Sequence, residues 1–130
     1  MSDARTIYKI KAQFFDDAEV VLLVNHQVLT KEIAEEINDF CGGNDYRLLQ
    51  EDGDVVRAVV RSFGAAAIHY FLADGGADFD SRSEADSTYW TQWVIDKIGE
   101  GWPDCAALGI LIQSAVVSGV GFDDVELDVI

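Results

Sequence analysis

Apolar and polar positions alternate along this chain with more than one period, and each period predicts a kind of element. From Ile7 to Phe15 the set Ile7, Lys9, Lys11 and Gln13 interleaves with Tyr8, Ile10, Ala12 and Phe14. That period of two predicts a half-buried strand with its polar set toward water. After Asp16-Asp17, residues Glu19 to Asn25 carry Val20, Val21, Leu22, Leu23 and Val24, a second β-rich run. So short a polar break predicts an antiparallel hairpin, although no glycine marks the turn.

The period then lengthens to that of a helix. Thr30 is placed to cap the free backbone donors of a first helix, with Leu29 packing one turn in on Ala34 and Glu32 adding favourable charge near that end. Ile33, Ile37, Phe40 and Cys41 form its apolar stripe, Glu35, Glu36 and Asp39 face solvent, and Gly42-Gly43 ends it. A second helix starts near Asp52 or Asp54. Val55, Val59, Phe63, Ala67 and Tyr70 form its stripe, widened by Val56, Val60 and Phe71, while Arg57 and Arg61 share another face. Gly64 marks a bend or a close helix contact, and Gly75-Gly76 closes the segment. Residues Ala77 to Asp86, dense in Asp and Ser, read as a loop. A third helix follows, with Trp90, Val94 and Ile98 on one face, Trp93 and Lys97 beside them, and Gly99, Gly101 and Pro103 as its stop.

The last third hides its period. Leu108 to Val117 is a continuous apolar run that suits a buried strand or a buried helix. Its β-branched residues, and the alternation of Val125, Leu127 and Val129 beyond a loop from Ser118 to Asp124, favour two strands. The expected order is β-β-α-α-α-β-β: an α+β domain with a mainly antiparallel sheet and about three helices packed on one side.

Composition supports a single domain over the whole chain, residues 1–130. The 130 residues are 49% hydrophobic, with seven Phe, four Tyr and three Trp, enough to build one core. No uninterrupted apolar stretch of roughly 20 residues predicts a membrane span, and no basic segment feeding an apolar one predicts a secretory signal. A cytoplasmic protein is the expectation. Cys41 and Cys105 allow one disulfide, but their contexts, a helix end and the start of an apolar run, read as packing sites of a reduced chain.

Candidate chemistry is sparse, and no catalytic residue, metal ligand or cofactor site is assigned. A metal role would require His26 and His69 to converge with a cysteine or carboxylate, because no local ligand spacing exists. Asp78 and Asp80 have the spacing that opens a calcium loop, but Arg82 takes the next ligand position and the central glycine and final glutamate are missing. Ser114, inside the apolar run, reads as buried rather than nucleophilic, and the glycine pairs read as helix exits rather than phosphate loops. Trp90 and Trp93 read as core. Trp102, in a connection, reads as the more exposed of the three and as an interface candidate.

Charge is what remains. Twenty-four Asp and Glu against nine Lys and Arg give a net charge of -15. Thirteen carboxylates lie between Asp3 and Asp74 and eleven between Asp78 and Asp128, so the acidity belongs to the domain rather than to a tail. Such a field disfavours direct contact with nucleic acid or an anionic membrane and favours a basic partner. Surface scaling gives roughly 6,800 Å², about one carboxylate per 280 Å², against about one charge per 110 Å² on a B-DNA cylinder. Mimicry of nucleic acid therefore requires clustering or dimerisation. The face of Glu32, Glu35, Glu36 and Asp39 and the region of Asp74, Asp78, Asp80, Glu84 and Asp86 are the candidates, with Trp102 as a possible interface residue.

The segments VNHQVLTKEIAEEINDFCGGNDYRLLQEDGDVVRAVVRSFGAAAIHYFLADGG, GWPDCAALGILI and DDVELDVI resemble a family of small acidic proteins of unknown function from bacteria and their phages or plasmids. The resemblance implies no active-site residues. Its mobile-element association implies an inhibitor of a host nuclease or defence complex. The expectation is thus a non-enzymatic acidic binding protein whose partner is a basic nucleic-acid-binding protein or complex. The alternative is a structural or regulatory homo-oligomer in which acidity serves solubility.

Overall fold

A computed structural model of the chain describes residues 4–12, 18–40, 43–80, 83–118 and 125–130. The predicted hairpin is present: β1 (Arg5–Lys11) pairs antiparallel with β2 (Ala18–Asn25), Arg5 opposite Asn25 and Lys11 opposite Glu19. Asp16-Asp17, Phe14, Phe15 and Gln13 lie outside the described residues. Both further strands also pair antiparallel, β3 (Ala77–Asp80) with β4 (Ile110–Val117) and β4 with β2, in the order β1-β2-β4-β3. The domain is α+β, as its pattern predicts.

The helices number five among the described residues rather than three. They are α1 (Lys31–Phe40), α2 (Asn44–Gln50), α3 (Val55–Ala73), α4 (Glu84–Ile98) and the single turn α5 (Cys105–Leu108). The expected cap of α1 forms, Thr30 Oγ1 accepting from the Ile33 amide (3.3 Å), and side chains also cap α3 (Asp54 from the Arg57 amide, 3.1 Å), α4 (Ser83 from that of Asp86, 3.1 Å) and α5 (Asp104 from that of Ala107, 3.1 Å). The strand that the sequence places at Val125, Leu127 and Val129 does not form; residues 125–130 have no regular secondary structure and are exposed. The loop expected over 77–86 contains β3 and the first turn of α4 instead. Only four residues long, β3 still alternates, with Ala77 and Phe79 inward and Asp78 and Asp80 outward.

One face of the sheet builds the core. Val20, Leu22 and Val24 of β2 and Ile110, Ile112, Ala115 and Val117 of β4 are buried beneath α3 and α4. A bulge between Val21 and Leu22, where Gln113 is the extra residue on β4, shifts the inward set from 110 and 112 to 115 and 117. The inward stripe of α3 is Val55, Val59, Val60, Phe63, Ala67, Ile68 and Phe71. By length and composition α3 also suits a membrane span, but half of that stretch is buried in this core. The helix runs unbroken through Gly64. A Cβ there would stand 2.6 Å from Ile10 Cγ1, so the glycine lets α3 lie directly on β1.

At the other edge of the core, Phe71 stacks on Trp93 (5.3 Å between centroids, 4° between planes) and meets Phe79 and Trp90 edge-on, which makes both tryptophans core residues. Beyond the end of β3 the edge of β4 is covered by α4: Thr91 Oγ1 accepts from the Ile112 amide (2.8 Å) and donates to the Ser87 carbonyl (2.7 Å). The expected stripe of α1 is corrected at two positions. Phe40 is 60% exposed, and Asn38 is buried in its place; Cys41 and Gly42 lie outside the described residues.

Candidate functional site

The sequence-predicted acidic residues do not come together. Glu32, Glu35, Glu36 and Asp39 are exposed along the outer side of α1, which packs on α3 in the helical layer. Asp78 and Asp80 project from the opposite face of the sheet. Glu84 and Asp86 occupy the first turn of α4, where the helix dipole favours a carboxylate, and Asp74 sits at the C-terminal end of α3, where it does not. Trp102 stands half-buried, as Trp90 and Trp93 do. The connection after α4 folds back until Gly101 abuts the Phe40 ring, and Trp102 packs half-buried against Phe63 (5.5 Å). Its packed side contributes to the core.

Total surface is 8443 Å², so 24 carboxylates average about one per 350 Å², sparser than chain length alone predicts. On α1 the density is different. Half the wall of a ten-residue helix is roughly 15 Å by 16 Å, which puts four carboxylates at about one per 60 Å², denser than the B-DNA average. The Lys31 ammonium lies 3.8 Å from Glu35 and offsets part of this charge. Nothing basic stands in the last turn.

Several of the cations are engaged elsewhere. Arg57 Nε and Arg61 Nη1 donate to the two carboxylate oxygens of Glu51 (3.1 and 2.8 Å), an arrangement that ties the α2–α3 turn to α3. These hydrogen bonds, Arg61 first, hold the Glu51 carboxyl below its ordinary value. Arg47 Nε donates to Asn38 Oδ1 (2.7 Å), and Asn38 Nδ2 donates to the Asn44 carbonyl (3.3 Å), a network that satisfies the buried Asn38 and anchors α2. Lys97 lies over the Trp93 ring, 5.2 Å from its centroid.

Sequence reasoning missed the outward face of the sheet, which α4 and α5 border at Leu23, Leu111 and Gln113. Its register forms rows that run across all four strands. One row is Lys11, Glu19, Val116, Asp78; the next is Lys9, Val21, Ser114, Asp80. Each begins with a cation on β1 and ends with an anion on β3. Between and beyond them lie Ile7, Leu23 and Leu111, with Ile7 63% and Val116 40% exposed. Ser114, expected to be buried, stands half-buried on this face.

The same face ends in a cavity of about 450 Å³, bounded by Arg5, Leu23, Leu111 and Gln113 from the sheet and by Glu84, Thr88 and Cys105 from α4 and α5. Cys105 is a free thiol whose Sγ donates to the Ile110 carbonyl (3.8 Å). Burial raises its pKa, which keeps it protonated and poorly nucleophilic at neutral pH. His26 donates to or accepts from Thr6 Oγ1 (2.9 Å), His69 stands exposed edge-on to Tyr70, and no three His, Cys, Asp or Glu side chains converge among the described residues.

With this geometry in place, the comparisons assign a family. Residues 19–127 match the family described as Protein of unknown function (DUF2528). The chain belongs to DUF2528. The match spans β2 through β4 and so includes α1, β3 and most of the outward sheet face. No curated protein and no solved structure matches the chain.

Proposed function

We propose that this DUF2528 protein is a non-enzymatic acidic binding protein, and that the outer face of α1 engages a basic groove in a nucleic-acid-binding protein as a short phosphate mimic. The observation that carries the reading is the concentration of Glu32, Glu35, Glu36 and Asp39 on one ten-residue helix. Local stability does not explain that concentration. Spaced three and four apart, the four residues make four like-charge pairs, each costing about 0.2–0.5 kcal/mol, and Asp39 stands at the end where the dipole disfavours it. A surface that lowers the stability of its own helix is the signature of a site kept for a partner. Their span of about 10 Å equals about three phosphate steps of one strand, so recognition is confined to a small groove. A phage or mobile-element origin would supply a host nuclease or defence complex as that partner, met in the cytoplasm.

The test replaces Glu32, Glu35, Glu36 and Asp39 together with Gln or Asn. Thermal stability should rise, by about 1 kcal/mol from the relieved pairs, while salt-sensitive capture of a basic host protein, displaceable by duplex DNA, is lost. Capture unchanged by the substitutions, or absent from the unsubstituted protein at low salt, overturns the proposal.

A second reading, a structural or regulatory oligomer with acidity serving solubility, is favoured by the exposed Ile7 and Val116 on the outward face of the sheet.

A further inference from the structure

We infer that the outward face of the sheet is the interface of a two-fold homodimer, with the axis running along the strands. The inference deepens the oligomeric reading and is independent of the α1 proposal. It starts from the sequence of β2. An antiparallel sheet with one solvated face alternates apolar and polar residues, yet Val20 to Val24 is apolar without interruption, which places Val21 and Leu23 on the outward side. Leu111 and Val116 of β4 and Ile7 of β1 join them there. Central strands largely apolar on both sides, here interrupted outward by Glu19 and Ser114, are the pattern of a sheet covered on both sides.

The charges at the two edges say what covers it. A two-fold axis lying between two stacked sheets and parallel to their strands reverses the order of strands and preserves position along them. Centred between β2 and β4, it sets β1 of one copy over β3 of the other. Because the rows run Lys9 to Asp80 and Lys11 to Asp78, the same operation brings Lys9 over Asp80 of the second copy and Lys11 over Asp78, each twice. Sheets stack about 10 Å apart, a gap that an extended lysine and an aspartate bridge. An axis perpendicular to the strands would set β1 over β1 and oppose like charges. The face is self-complementary under one operation, as an isologous contact requires.

Its size sets the strength. Three strands of seven or eight residues and a fourth of four, each about 4.8 Å wide, make a patch of roughly 420 Å², so two copies bury about 850 Å², in the range of weak, transient contacts. Repulsion between two acidic molecules weakens it further at low ionic strength, and a Debye length of about 8 Å at physiological salt screens that repulsion. The dimer is therefore reversible and concentration-dependent.

Sedimentation equilibrium at physiological salt, from low micromolar to several hundred micromolar protein, should show the average mass rising from 14.3 kDa toward twice that. The variants Lys9→Glu/Lys11→Glu and Asp78→Lys/Asp80→Lys should each weaken self-association by about tenfold or more. Mixed in equal amounts they should associate again, because each then presents what the other lacks. A second measurement needs no variant. In a mixture of isotopically light and heavy chains, zero-length carbodiimide coupling should join Lys9 of one chain to Asp80 of the other, and Lys11 to Asp78. Within one chain those residues stand three strand spacings apart, roughly 14 Å, too far to couple. A monomer at every concentration, variants that associate undiminished, a mixture that stays monomeric, or inter-chain links confined to other residues would each overturn the dimer. Neutralising the α1 carboxylates should leave self-association intact, which separates this result from the fate of the α1 proposal.

Discussion

Two faces of one sheet, drawn from the same strands, have opposite chemistry. Inward residues of β2 are fully buried and meet α3, whereas their immediate neighbours Val21 and Leu23 face out beside lysines and aspartates. The composition of β2 does not distinguish them; Leu22 and Leu23 are the same residue one position apart. What separates them is the pleat, which turns successive side chains to opposite sides. Hydrophobicity alone therefore does not tell which leucine maintains the fold and which is available to a second molecule.

Truncating each leucine gives the largest contrast. Leu22→Ala removes a fully buried side chain and leaves a cavity under α3, so urea unfolding should show a loss of about 2–5 kcal/mol. Leu23→Ala removes a half-buried one with room to relax and should cost about 1 kcal/mol or less in dilute solution, while weakening self-association. Equal losses at the two positions would show that the outward face is already covered within the monomer.

How far this contrast is legible from the sequence depends on how many residues carry it. The hairpin, α1, α3 and α4 each repeat their period often enough to be read. Short β3 offers a single repeat of Ala77-Asp78-Phe79-Asp80, and its aspartates resemble those of a loop. The short α2 buries no residue completely; its Arg47–Asn38 contacts arise only once α1 is folded. The bulge at Gln113 changes phase in the middle of β4, which is why that run shows no single period. Beyond it, Val125, Leu127 and Val129 alternate without forming a strand, since alternation alone supplies no partner. The α1 acidic face was readable because helical spacing is local. The Lys-to-Asp rows were not, because they require the register of four strands that are not consecutive in the sheet.

The seam between the two faces should respond at intermediate size. Where β3 ends, the Ile112 amide has no described strand on the side away from β2 and donates to Thr91 Oγ1. Thr91→Val keeps the shape but leaves that buried amide unpaired, so stability should fall by about 1–3 kcal/mol. Thr91→Ser retains the oxygen and should lose less. If the two variants are equally stable, water rather than Thr91 satisfies the amide and α4 does not extend the sheet edge.

The smallest effect concerns charge away from both faces and shows whether a distant carboxylate can be perturbed without disturbing them. Paired with Arg57 and Arg61, Glu51 has a folded pKa below its unfolded value near 4.5. A depressed carboxyl stabilises the fold while ionised, so its contribution is complete above the unfolded pKa and disappears as pH falls through the lower folded pKa. Glu51→Gln should lower the melting temperature slightly at pH 7, and the difference from the unsubstituted protein should vanish in acid below the folded pKa. Because its cations come from α3 and not from β1, the substitution should not alter self-association; a change there would mean that the α2–α3 turn communicates with the outward face through the contact of α3 with β1, where Gly64 lies against Ile10.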